Sequence, residues 1–295
     1  MNIEDRTRAE TSMGVGIGYG LAAALVWGAW PVLSQLGVNE HLGAMDITAL
    51  RFTISGVILL PLVMRKGTAG LGWGRAILLC AGAGVPYVLV MVGGLSYAPA
   101  AHAGVIGPSS MLVFSVLGSR LFLGETLTRS RLLGLSIVVM GGIIIGWENF
   151  GQEGLRGDLM FVCGGALWAS YTVLSKAWST DPLQATALVA VISMVLYLPV
   201  YMVWVGPDMF MFPTPGVLIQ GLFQGVFASI FGLLFYSRSI VELGAAKAAV
   251  FAALVPSIAV VLAYPVLGEV PSMLDVLGVI VVSAGMGAAL GLYKF

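Results

Sequence analysis

Charge is what this sequence has least of. Only 9% of its 295 residues are Asp, Glu, Lys or Arg, against roughly 25% in a soluble domain, so a water-solvated surface of ordinary extent is excluded. Histidine is confined to His41 and His102 and cysteine to Cys80 and Cys163. At no ligand spacing, these four leave little to build a metal centre, and neither metal nor cofactor is expected. Both cysteines sit inside apolar segments and read as small core hydrophobes. An HExxH helix, a GxSxG elbow and a pair of mid-membrane aspartates are all missing, which argues against a membrane-embedded enzyme. The missing P-loop argues against ATP drive by this chain.

What the sequence has in abundance is apolar length. Hydrophobic residues make up 59% of the chain, in continuous runs of about 20 residues, enough to cross a hydrocarbon core of about 30 Å at about 1.5 Å per residue. Continuous rather than alternating runs rule out a barrel. Ten spans are predicted, near 14–37, 44–64, 75–95, 101–123, 131–147, 158–178, 183–205, 215–237, 244–267 and 272–293. The fold class is therefore an all-α polytopic membrane protein. The length of the first span argues against a cleaved leader even though Arg6 and Arg8 precede it.

Net charge is zero, yet the basic residues are placed unevenly. With the first residue in the cytoplasm, twelve of fourteen (Arg6, Arg8, Arg65, Lys66, Arg75, Arg120, Arg129, Arg131, Lys176, Arg238, Lys247 and Lys294) fall at inner ends; Arg51 and Arg156 do not. The positive-inside rule then predicts both termini in the cytoplasm, as an even span count requires.

The chain also repeats itself. LVWGAWPVLSQ (25–35) lies over ALWASYTVLSK (166–176), matching Trp27 with Trp168 and Ser34 with Ser175, and setting Tyr171 at the place of Trp30. Residues 98–142 lie over 241–286 at a shift of 144, pairing Leu123-Gly124-Glu125 with Leu267-Gly268-Glu269, Gly134 with Gly278 and Gly141 with Gly285. The expected units are 14–147 and 158–293, each of five spans. An odd count forces the second copy to enter from the opposite face, and such inverted repeats mark secondary transporters with a midplane site. The two Gly-Glu stretches read as tight connections, with Thr128 capping the fifth helix and Ser272-x-x-Asp275 forming a capping box for the tenth.

Ten spans in two inverted halves, Trp-x-x-aromatic in spans one and six, and the doubled L-G-E-x-[LP]-[TS] resemble the drug/metabolite transporter superfamily, in its EamA-type branch. Within that branch the chain looks closest to YddG-like amino-acid exporters. The resemblance implies a central cavity enclosed by spans 1, 3, 4, 6, 8 and 9, with spans 2 and 7 outside and spans 5 and 10 paired at one end. Carried onto this chain, the cavity faces hold Trp27, Trp30 and Ser34 in span one and Trp168, Tyr171 and Ser175 in span six, each set at i, i+3, i+7 on one side of a helix.

Trp73, Trp147, Trp178, Trp204 and Tyr293 lie near span ends, where an interfacial belt accounts for them. The mid-span aromatics are left for core packing or for a ligand, and their match in both halves favours lining. Pro31, Pro86, Pro108 and Pro256 interrupt backbone hydrogen bonding at membrane depth, beside Tyr87, Ser109 and Ser257, which are candidates for the polar end of a substrate. Pro108 and Pro256 stand one turn out of register, so the halves are expected to bend at different depths. His102 opens span four and is a further candidate, against the plainer reading of a polar residue at a helix end. Asp46 and Arg51 in outer span two read as paired or snorkelling. The resulting expectation is an inner-membrane exporter of aromatic or neutral amino acids or related metabolites, held in the lipid bilayer and binding without a fixed charge partner. A multidrug exporter is the alternative, and a nucleotide-sugar carrier ranks lower for want of midplane cations. No nucleic-acid partner is expected, and a monomer is compatible with this reading.

Overall fold

A computed structural model describes residues 3–147 and 152–290, and outside it lie Glu148, Tyr293 and Lys294. The side chains of Arg6 and Arg8 likewise fall outside the described residues. Thirteen α-helices and one π-helix, with no strand among the described residues, make up ten apolar rods. In chain order these are α1 Ile3–Asn39, α2 Ala44–Lys66, α3 Trp73–Ala83, α4 Val85–Gly94, α5 Ala100–Leu123, α6 Arg129–Gly146, α7 Gly154–Ala177, α8 Pro182–Trp204, the short α9 Asp208–Met211, α10 Pro215–Leu222, the π-helix Phe223–Phe231, α11 Gly232–Leu243, α12 Ala245–Leu267 and α13 Met273–Ala289. Among the described residues nine rods are long and apolar enough to cross a membrane, and α13 is a shorter apolar helix.

Local chemistry sets the ends of these rods. Thr128 accepts from the Arg131 N–H at 3.3 Å. Ser272 and Asp275 bond each other's backbone N–H groups at 3.0 and 2.9 Å, the reciprocal arrangement that satisfies two orphan donors. The doubled Leu-Gly-Glu is a doubled helix stop: Gly124 and Gly268 hold φ of 68° and 73°, the left-handed turn that glycine adopts without a Cβ penalty.

Two rods depart from regular helix, and they are the third of each half. Span three breaks at Gly84, and Pro86 falls in the first turn of α4, where its missing N–H would have had no helical acceptor. Span eight carries the nine-residue π-helix between α10 and α11. A third boundary differs from expectation: α7 begins at Gly154, so Arg156 lies inside a helix rather than before it.

The packing repeats under exchange of the two halves. Span four packs on span six as span nine packs on span one, span three on span six as span eight on span one, and α2 on α8 and α6 on α13 are each their own counterpart. This is the pattern that a two-fold axis in the membrane plane produces, with two inverted five-helix repeats around a central cavity.

The α6–α13 contact is built on the paired glycines. A Cβ on Gly134 would stand 2.3 Å from the Ala289 backbone N, one on Gly141 3.0 Å from the Gly278 O, and one on Gly285 2.7 Å from the Val138 N. Backbone meets backbone, and only a residue without a side chain allows it. Gly134→Val is expected to destabilise the protein by about 1–3 kcal/mol through overpacking. Gly142→Val, whose Cβ would meet nothing within 4 Å, serves as the control. Thermal melting of the two variants in detergent checks this, and equal melting points would remove the close crossing.

Candidate functional site

Between the halves lie two adjoining cavities of about 360 and 460 Å³. Trp27, Arg51, Trp168, Thr172, Ala228 and Tyr236 line both, so the two are lobes of one chamber. One lobe reaches Thr180 and Pro182, where α7 gives way to α8; the other rises to Trp30, Pro31 and Ala103.

Six of the residues singled out in the sequence line this chamber: Trp27, Trp30, Tyr87, Trp168, Tyr171 and Ser175. Four of them form a continuous arc across the two halves. Trp30 of α1 stacks on Tyr87 of α4 with centroids 6.3 Å apart, Tyr87 meets Trp168 of α7 at 4.8 Å, and Trp168 meets Tyr171 at 5.6 Å. Trp27 pairs with Tyr236 of α11 at 5.3 Å on the facing wall. The break at Gly84 starts α4 afresh immediately before Tyr87, and a Cβ on the nearby Gly82 would lie 2.9 Å from the Leu167 O of α7. The glycine-proline stretch thus brings α3 close to α7 and starts the helix that carries Tyr87 into the chamber.

The other four stand elsewhere, three of them with a polar partner. Ser34 is buried and accepts from the Gln224 amide at 2.9 Å in a ladder between span one and span eight. In the same ladder the Trp30 indole N–H donates to Gln224 at 2.8 Å, and Gln220 donates to the Leu33 carbonyl at 2.5 Å. Ser257 faces away, 3.1 Å from Ser283 of α13. Ser109 is buried with its hydroxyl unpartnered, off the chamber wall. His102 is 2% exposed and lies between two carboxylates, Nδ1 at 2.9 Å from Asp158 and Nε2 at 3.3 Å from Asp275. It bolts the starts of α5, α7 and α13 together.

Two expectations need correction. Spans two and seven do not lie outside the chamber: α2 supplies Arg51, Phe52 and Ser55, and α8 supplies Ala185, Thr186, Val189 and Ala190. Nor does Arg51 pair with Asp46 or snorkel. Asp46 accepts from the Tyr201 hydroxyl at 2.6 Å and from the Gly43 N–H at 2.8 Å, while Arg51 is 7% exposed and turned to the cavity. The isolation of Arg51 among basic residues otherwise gathered at span ends was the signal available in the sequence. The cysteines also divide, with Cys80 buried 3.1 Å from Ser193 and Cys163 exposed on the outer surface of α7.

The profile of the EamA-like transporter family matches residues 14–147 and 155–290. This chain belongs to that family. Among curated relatives it is similar to a probable terminal-alkyne amino-acid exporter of Streptantibioticus cattleyicolor, 25% identical over 268 residues that cover 85% of this chain and 84% of that one. It is also similar to a riboflavin transporter of Brucella anthropi, 29% identical over 164 residues that cover 53% and 55% of the two chains. A protein solved by crystallography shares the fold at a TM-score of 0.64 and 18% identity, over 95% of this chain and 96% of that one.

Against the repeat symmetry of the EamA-like fold, the two Gly-Glu connections are placed unequally. Glu125 pairs with Lys176 and lies 3.6 Å from Arg131; the Lys176 hydrogen bond holds its carboxyl below the usual range. Glu269 sits against the backbone N–H groups of Ala100 and Ala101 at the start of α5, and burial pushes its carboxyl above the usual range. One end of the bundle is therefore drawn together around Glu269 and His102, while the chamber runs toward the other. Removing the imidazole would take away the group that lies between Asp158 and Asp275. His102→Ala is expected to cost about 3–5 kcal/mol, with partial recovery on adding Asp158→Asn, as read by detergent melting. Equal melting of His102→Ala and the parent would show that the imidazole does not hold this end.

Proposed function

We propose that this EamA-like protein exports amino acids with aromatic or other apolar side chains, or closely related metabolites, across the inner membrane by alternating access. It acts as a carrier without catalysis, with both termini in the cytoplasm. The observation that carries the reading is the aromatic arc Trp30–Tyr87–Trp168–Tyr171, contributed by both repeats and facing one chamber. Aromatic faces hold an apolar body by stacking and an ammonium by cation–π attraction. The role of the Streptantibioticus relative, a probable terminal-alkyne amino-acid exporter, agrees with it. In this orientation the lobe at Thr180 faces the cytoplasm, as uptake of cargo for export requires.

Exchange of the halves describes the opposite state. There Glu125 moves to the start of α12, beside Lys247, as Glu269 now sits at the start of α5. Spin labels at positions 125 and 247 in a cysteine-free background are expected to report two distance populations in liposomes; one invariant distance would reject the exchange.

The site is tested by counterflow of labelled L-phenylalanine in proteoliposomes. Trp168→Ala or Tyr87→Ala removes about 1–2 kcal/mol of ring contact, a weakening of roughly five- to thirty-fold, with folded protein unchanged. Full activity in both variants would reject the arc as the site. Movement of riboflavin or lipophilic cations without any amino acid would replace the reading with a drug- or flavin-exporting one.

A further inference from the structure

Among the described residues the chamber holds one formal charge, and no carboxylate answers it. Arg51 is the sole charged residue among the described lining residues of both lobes. It makes no ion pair among the described residues, and its Nε is buried without a hydrogen-bond partner. The nearest acid on its own helix, Asp46, is committed to Tyr201 and to the Gly43 N–H. What surrounds the guanidinium is neutral: the Phe52 ring at 6.0 Å, with Ser55, Tyr87 and Trp168 sharing the walls. A guanidinium does not shed its proton, so burial leaves it charged. An unpaired buried charge is strongly unfavourable unless something arrives to pair with it.

From this we infer that Arg51 is the anchor for a carboxylate of the transported molecule, making the cargo a monocarboxylate with an apolar or aromatic body. The planar fork of the guanidinium fits two carboxylate oxygens at once. One positive charge balances one negative charge; a phosphate dianion would bring a second for which the walls have no cation. An amino acid satisfies both requirements, because its ammonium, with no carboxylate among the described lining residues, finds Trp27, Trp30 and Trp168 in the walls. Arg51 also borders both lobes, so cargo moving between them stays within reach of the same group. The inference rests on the chamber being the transport site and narrows what that site accepts.

The test measures binding of matched ligands to the purified full-length protein by calorimetry. L-phenylalanine is compared with L-phenylalaninol, and 3-phenylpropionate with its amide, each pair differing at the carboxylate. Loss of a charge-assisted hydrogen-bonded partner corresponds to roughly 10- to 100-fold in affinity. The parent protein is expected to prefer the carboxylate of a pair by that factor, Arg51→Gln to lose the preference, and Arg51→Lys to keep part of it. Equal binding within both pairs by the parent protein overturns the anchor without need of any variant, as does a preference that survives in a folded Arg51→Gln. If 3-phenylpropionate shows the Arg51-dependent preference and phenylalanine does not bind, the anchor stands and the amino-acid reading falls. If no carboxylate binds at all, the anchor is overturned.

Discussion

Hydrocarbon offers no hydrogen bonds, and a polar group taken into it must bring its partner along. That constraint explains where this bundle is tied. The Gln220–Gln224–Ser34–Trp30 ladder joins span one to span eight. The Asp158–His102–Asp275 clamp joins three helix starts. Tyr197 and Tyr201 of α8 reach the Met45 carbonyl and Asp46 of α2. Each of these ties spans elements distant in sequence, so satisfying the polar groups and assembling the helices are one event.

Symmetry sets the pairing of spans, and polar chemistry breaks it. The glycine crossing of α6 with α13 is shared evenly by the halves, because backbone contact depends only on the absence of side chains. The charged groups are not shared evenly. His102, Asp275 and Glu269 gather one end, while in the other half Arg131 stands at the place of Asp275, Lys247 stands one position from the place of His102, and Glu125, the match of Glu269, is held by Lys176. A perfectly symmetric bundle has no reason to face one side. Unequal charges at equivalent places give the two facing states different contacts, which a two-state carrier needs if its cargo is to shift the balance between them.

The fold was legible because membrane length, glycine spacing and an odd span count per unit are all written in residue type. Leu-Gly-Glu at two places reports both the helix stop and the repeat, and the same alignment pairs the glycines of the α6–α13 crossing. Half of the chamber was legible too, since aromatics at i, i+3 on one helix face must share a direction. Three of the four serines were misleading because a hydroxyl at membrane depth serves equally well inward or sideways. Ser34 took a glutamine and Ser257 another serine, partners set by helix rotation rather than by spacing. The π-helix left no mark in the sequence, and neither did the turn that sends Asp46 to Tyr201; Arg51 was marked only by standing apart from the basic residues at span ends.

That division between Asp46 and Arg51 is where structure and proposed mechanism meet. Had the two residues paired, the chamber would be neutral and its selectivity would rest on shape and stacking alone. With Asp46 held by Tyr201 and by the first turn of its own helix, the guanidinium is kept in reserve for cargo. A carrier must also let go, and a single anchor favours release, since one charge pair bridged to neutral rings holds an anion less tightly than a cluster of cations would. The wall of tryptophan and tyrosine then adds contact in small increments that differ as the rings shift between facing states. The reading therefore depends less on any one ring than on Arg51 staying unpaired by the protein itself.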